Sequence, residues 1–200
     1  MDLGERLIYT DRDKLEVVGL WRRSGFPDRH MTSARETAKN REETGWWAAH
    51  DYMSKRFGSD GTLFILTGPR GTGKTQMSAC LARLMALQKQ EVKYIRASDM
   101  YDNIKATYGG TEGDTSKEVI SNSVRPRLLI IDDMQDANAS NWEGRILNQI
   151  IDRRYGSHKD TVLITNDREE ALPTKLGSSV MSRADEIGGI IQTDWASFRS

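Results

Sequence analysis

Gly68-Pro69-Arg70-Gly71-Thr72-Gly73-Lys74-Thr75 fits the pattern G-x-x-x-x-G-K-[ST] of a phosphate-cradling loop. Its flanks carry as much information as its letters. Thr62-Leu63-Phe64-Ile65-Leu66-Thr67 before it is a short apolar run suited to a buried strand, and after it Met77, Leu81, Leu84 and Met85 recur at helical spacing. Strand, glycine loop and helix is the order that phosphate binding needs. Glycines let the backbone curl until its N–H groups face phosphate oxygens, and the helix N-terminus adds a partial positive charge. Gly68, Pro69, Arg70, Gly71, Thr72, Gly73 and the adjoining Gln76 are therefore candidate nucleotide contacts. Lys74 is placed to reach the β- and γ-phosphates, and the Thr75 hydroxyl to ligate Mg²⁺. The stretch predicts a nucleotide-binding protein.

The remaining composition narrows the class. A chain of 200 residues fits one α/β domain with a short appendage. The 29 basic and 29 acidic residues cancel, so any nucleic-acid surface has to be local. A single cysteine, Cys80, excludes an internal disulfide and a cysteine-cluster metal site, and reads as a small residue buried in the helix after the loop. No apolar run approaches the ~18 residues of a membrane span, and the charged N-terminus lacks a signal-peptide core. The expectation is a cytoplasmic protein with no membrane contact.

Strand and helix then alternate outward from the loop. Val92-Lys93-Tyr94-Ile95, Leu128-Leu129-Ile130-Ile131, Thr161-Val162-Leu163-Ile164-Thr165 and Gly189-Ile190-Ile191-Gln192 join residues 62–67 as strands. Helices are expected over 99–107, 115–123 and 143–155, where Ile146, Leu147, Ile150 and Ile151 make one apolar face. Apolar runs without alternation, separated by helices, predict a parallel five-stranded sheet with helices on both faces. Upstream, Trp46, Trp47, Ala49, His50, Met53 and Phe57 mark a helix, its tryptophans read as packing. Residues 15–21 suggest a short element that Arg22-Arg23-Ser24-Gly25-Phe26-Pro27 breaks. Ser33 to Arg41 carries no usable pattern, and 108–113 reads as a glycine-rich loop. The domain reading is an N-terminal extension and lead-in over 1–45 and a nucleotide-binding core over 46–200.

Four apolar residues ending in Asp132-Asp133 give the strand that completes such a site. One carboxylate at a strand tip holds Mg²⁺, usually through water, and a second polarises the attacking water. Asp132 suits the first task and Asp133 the second; a carboxylate pair capping a turn is the plain alternative. Many such sites carry Glu in second place, and the shorter Asp predicts slow turnover. Thr165-Asn166 ends the next strand, where an amide reaches the γ-phosphate or the water, although Asn is also common in turns. Arg183 follows a short helical stretch after Leu172-Pro173. It either neutralises γ-phosphate charge, in its own subunit or across an interface, or is an ordinary solvated arginine.

Residues 68–75, 128–133, 146–154, 165–166, 180–183 and 194–195 together resemble the bacterial helicase-loader AAA+ ATPases of the DnaC/DnaI type, with the IstB-type transposition ATPases as close relatives. The resemblance covers roughly residues 20–200. The phosphate loop alone is generic; 146–154 and the ending around Trp195 are more particular. It implies a P-loop NTPase with an AAA+ core and no C-terminal lid domain, ATP and Mg²⁺ as ligands, single-stranded DNA and a replicative helicase as partners, and ATP held between subunits of a homo-oligomer. Asn166 becomes sensor 1 and Arg183 a finger acting on the neighbouring subunit. Lys74, Asp133, Asn166 and Arg183 form the implied catalytic set. Family contacts to single strands map onto Lys105 and Tyr108, then Ser140 and Trp142. Aromatic faces stack on bases of any sequence and lysine meets phosphate, while packing is the plain alternative for both rings.

One departure stands out. Loaders of this type carry a separate helicase-binding domain, and here 22–27 already reads as lead-in, leaving 1–20 for partner capture. A short replication protein of a phage or mobile element fits that, as does a paralogue that regulates loading. Two further readings stay open: a transposition helper that marks target DNA, favoured by duplex preference, and a nucleotide-binding adaptor with little catalysis. A small-molecule kinase fits less well, since no arginine-rich lid or acceptor pocket is visible.

Overall fold

A computed structural model describes residues 11–32, 44–58, 60–109, 116–136 and 140–198. Residues 33–41 and the glycines at 110–113 lie outside the described residues. Before the sheet the described residues include α1 (Asp11–Arg22), a helical stretch over 28–32, and α2 (Thr44–Ser54). The alternation then runs β1 (Leu63–Thr67), α3 (Lys74–Leu87), β2 (Val92–Arg96), α4 (Ala97–Ala106), α5 (Ser116–Val124), β3 (Leu128–Asp132), α6 (Asn141–Tyr155), β4 (Asp160–Ile164), α7 (Leu172–Leu176), α8 (Ser178–Ile187) and β5 (Gly189–Gln192). All pairings are parallel, in the order β2-β3-β4-β1-β5. The expected parallel five-stranded α/β sheet is the observed one.

Every residue of β1, β3 and β4 is buried. Strand side chains alternate faces, so each strand feeds two cores. Phe64, Leu66, Leu128, Ile130, Val162 and Ile164 pack against Met77, Leu81 and Met85 of α3. Leu63, Ile65, Leu129, Ile131 and Leu163 pack on the other side against Met100, Ile104, Ile146, Leu147, Ile150 and Val180. Covering both faces is why the strands read as unbroken apolar runs.

Trp21 and Phe26 join the first core, so residues just before 27 are packed into the sheet's edge. The chain breaks at Gly25 with φ +87°, and Tyr94 donates its N–H to Ser24 O at 2.6 Å. Gly188 passes close under β1: a Cβ there would lie 2.0 Å from Leu63 O. Among the described residues, no helix is long and apolar enough to cross a membrane.

Candidate functional site

The phosphate loop leaves β1 at Thr67 and enters α3 at Lys74 through three left-handed glycines, Gly68 (φ +127°), Gly71 (+88°) and Gly73 (+82°). Only glycine adopts this series without strain. The Lys74 ammonium is nearly buried and bridges the loop, donating to Gly68 O and Pro69 O at 2.7 Å each. Thr72 turns its hydroxyl inward, donating to Pro69 O (3.0 Å) and sharing a hydrogen bond with the Thr193 hydroxyl (2.8 Å). A Cβ at Gly68 would sit 2.6 Å from that same Thr193 oxygen.

A cleft of about 520 Å³ opens over this loop. Arg70, Gly71, Gly73, Lys74, Thr75 and Gln76 line it, together with Asp132, Asp133 and Asn166. The structure therefore gathers the loop and two strand tips, those of β3 and β4, that are distant in sequence. Gly68, Pro69 and Thr72 shape the loop from behind the cleft wall. Gln76 lies at the cleft's other end, its Oε1 3.1 Å from His30 Nδ1.

At the centre of the cleft, the Asp132 carboxylate is nearly buried and held from three directions. Thr75 Oγ1 donates to its Oδ2 at 2.8 Å, Tyr94 Oη to the same oxygen at 2.9 Å, and Asp133 N–H to Oδ1 at 2.8 Å. Burial raises the Asp132 pKa, against the lowering effect of those donors. Burial also raises the Tyr94 phenol, assisted by Asp132, so Tyr94 stays a proton donor at neutral pH. The Thr75 hydroxyl and Asp132 carboxylate are adjacent hard oxygens beside the phosphate loop. That donor set suits Mg²⁺, which takes few protein oxygens and shares substrate phosphates.

Asp133 follows the strand in a left-handed conformation, φ +56°. Gln135 Nε2 donates to Asp133 Oδ1 at 3.2 Å, and Gln135 Oε1 accepts the Asn166 main-chain N–H at 3.1 Å. Gln135 thus joins two neighbouring strand tips. Arg96 lies 3.8 Å from Asp133 Oδ2 at the cleft's edge.

Arg183 lies elsewhere. From α8 it pairs with Asp152 Oδ1 of α6 at 2.8 Å, donates to Ser179 O at 2.9 Å, and stands 5.4 Å from the Tyr155 ring centre. It is not among the residues that line the cleft. Lys105, Tyr108, Ser140 and Trp142, from two separate stretches, meet in one cluster. The Tyr108 and Trp142 ring centres are 6.1 Å apart, edge to face, and the Lys105 ammonium stands 5.2 Å from the Trp142 ring. Lys105 also pairs with Glu143 at 3.3 Å. Ser140 caps α6 in a capping box with Glu143, and Tyr108 is 62% exposed.

Sequence reasoning missed Tyr94, Gln135, Arg29, His30 and Phe198, all but Gln135 lining the cleft. Tyr94 read as a strand residue, and no short motif marks the others. Trp46, expected as packing, is fully buried and also donates its indole N–H to Gly73 O at 3.3 Å.

A family model for IstB-like ATP binding proteins matches residues 12–185. The chain belongs to this family of ATP-binding proteins, and its fold is the P-loop AAA+ core. The replicative helicase loader DnaC of Buchnera aphidicola subsp. Schizaphis graminum is 26% identical, with 98% of this chain and 81% of that protein covered. The replicative helicase loader DnaC of Escherichia coli K12 is 31% identical over 70% of this chain, which spans 58% of that relative's length. A crystal structure of DnaI superposes with a TM-score of 0.67 at 16% identity, covering 88% of this chain and 95% of the other.

Proposed function

We propose that this chain is an ATP-dependent accessory protein of DNA replication that binds single-stranded DNA, assembles with further copies of itself, and helps to load a replicative helicase in the cytoplasm. The observation that carries the DNA part is the convergence of Lys105, Tyr108, Ser140 and Trp142 from two distant stretches. An exposed ring, a second ring and an ammonium are the groups that grip a single strand without reading its sequence. Support for the process comes from relatives named as replicative helicase loaders, one of them matched over 98% of this chain.

In this reading Lys74 and the loop N–H groups bind the triphosphate, and Thr75 with Asp132 holds Mg²⁺, which supplies charge neutralisation across the phosphates. Asp133 orients and polarises the attacking water, with Asn166 beside it on the next strand tip. Arg183, outside its own cleft, reaches the γ-phosphate of the adjoining subunit. Nucleotide then acts as a switch: the ATP-bound assembly grips DNA, and slow hydrolysis loosens it.

The test is fluorescence anisotropy of a labelled single-stranded oligonucleotide, with ATP and Mg²⁺, without nucleotide, and with duplex competitor. ATP-dependent binding that duplex fails to compete supports the reading. Preference for duplex supports target marking in transposition, which the IstB-like family match favours as second reading. Binding to neither, with tight protein capture, leaves the adaptor.

A further inference from the structure

We infer that Tyr94 is a positioning residue for the Mg²⁺-holding carboxylate, and that residues 24–26 fix Tyr94 in place; the inference rests on Asp132 being the metal ligand proposed above. Tyr94 stands on β2, one strand away from Asp132 on β3, and the pairing of Arg96 with Asp132 sets it two residues short of direct register. Its phenol spans that offset to reach Asp132 Oδ2 at 2.9 Å. Thr75 donates to the same oxygen and Asp133 N–H to the other. A carboxylate rotates about one bond, so donors on both oxygens are needed to fix its plane. Thr75 is itself a metal ligand in this reading, which leaves Tyr94 as the donor to Oδ2 that does not move with the metal.

The lead-in supplies the stiffness. The Tyr94 N–H donates to Ser24 O at 2.6 Å, outside the sheet ladder. The Phe26 ring lies 4.4 Å from the Tyr94 ring, tilted by 30°. Gly25 passes so near that a Cβ would approach Tyr94 O to 2.7 Å. Ring and backbone of Tyr94 are therefore both clamped by residues that precede the sheet. A contact between two segments far apart in sequence thus ends on the metal carboxylate.

Binding of a fluorescent ATP analogue, titrated with Mg²⁺ and repeated in EDTA, tests this on the full chain. Tyr94→Phe keeps the ring and removes the donor. The expected result is a roughly three- to tenfold higher Mg²⁺ midpoint, the scale of one lost hydrogen bond, with affinity in EDTA unchanged. An unchanged midpoint in Tyr94→Phe, beside a shifted one in Asp132→Asn, overturns the role of Tyr94 alone. Equal loss with and without Mg²⁺ makes Tyr94 purely structural and also overturns it. An unshifted midpoint in Asp132→Asn removes the metal reading of the site, and the role of Tyr94 with it.

Discussion

Trp195 donates its indole N–H to the main-chain carbonyl of Thr72 at 2.8 Å, fastening the segment after β5 to the middle of the phosphate loop. Phe198 N–H bonds Gly71 O at 2.9 Å, and the Thr193 hydroxyl reaches both Thr72 and Thr67. The loop is thus held from behind by a strap as well as by its own glycines. Trp195→Phe keeps an aromatic ring against Gly45 and loses the donor. It is expected to cost about 0.5–1.5 kcal/mol in urea unfolding and to weaken nucleotide binding by roughly fivefold. Wild-type nucleotide affinity in the variant would show that the strap has no part in the loop's shape.

Ser140 caps α6 and, in the proposed function, also contacts DNA, and substitutions separate the two. As N-cap of α6 it accepts the Glu143 N–H and donates its own N–H to the Glu143 carboxylate. Ser140→Ala should lower stability by about 1 kcal/mol, whereas Ser140→Asp keeps a capping oxygen. Aspartate also adds a negative charge beside Lys105 and Trp142. Near-native stability with weakened single-strand binding is expected of Ser140→Asp. Undiminished DNA affinity would take Ser140 out of the DNA path.

Arg183 can be tested by mixing subunits. In the proposed site between subunits, Lys74→Ala and Arg183→Ala each leave one half intact. Each variant alone is expected to lose turnover, and a mixture to regain part of it. At dilutions that keep the chains apart, Arg183→Ala should bind nucleotide as tightly as the parent, since Arg183 lies outside its own cleft. A mixture as inactive as its parts contradicts a finger acting between subunits.

Asp160 gives the pH dependence. Burial raises its pKa above 3.8, although Arg127, the Gly58 N–H and the Thr62 hydroxyl oppose the rise. Between the unfolded and folded values the native state holds more protons than the unfolded chain. Stability contributed by this group therefore falls as pH rises through that window. Asp160→Asn removes the titration. Chemical unfolding at a series of pH values should show the variant gaining on the parent as pH rises from below 4. A constant difference would mean that the Asp160 pKa is the same in both states.

The fold was legible because burial on both sheet faces writes itself as unbroken apolar runs. The strands over 63–67, 92–96, 128–132, 160–164 and 189–192 fall within one residue of expectation. The phosphate loop and Asp132-Asp133 were legible because short motifs encode their chemistry. Tyr94 was hidden, since its task depends on a neighbouring strand that pattern alone does not align. Arg154 was hidden for a different reason. Within 146–154 the sequence assigns it no individual role, yet it is fully buried. Its guanidinium donates to the carbonyls of Ser123, Val124, Pro126, Arg127 and Asp160, and to the Thr161 hydroxyl. It staples the turn before β3 to the start of β4, a contact set that only the fold creates. The Lys105–Trp142 cluster was placed by family resemblance and not by local pattern, because neither stretch alone predicts the other.

The most direct test of the account is the ATP turnover rate with and without single-stranded DNA, beside a duplex control, for the parent chain, Lys74→Ala, and the double variant Tyr108→Ala with Trp142→Ala. Slow basal turnover that single strands stimulate is expected of the parent, no turnover of Lys74→Ala, and unchanged basal turnover without stimulation of the double variant. Turnover indifferent to single strands, or stimulated equally in the double variant, would contradict it.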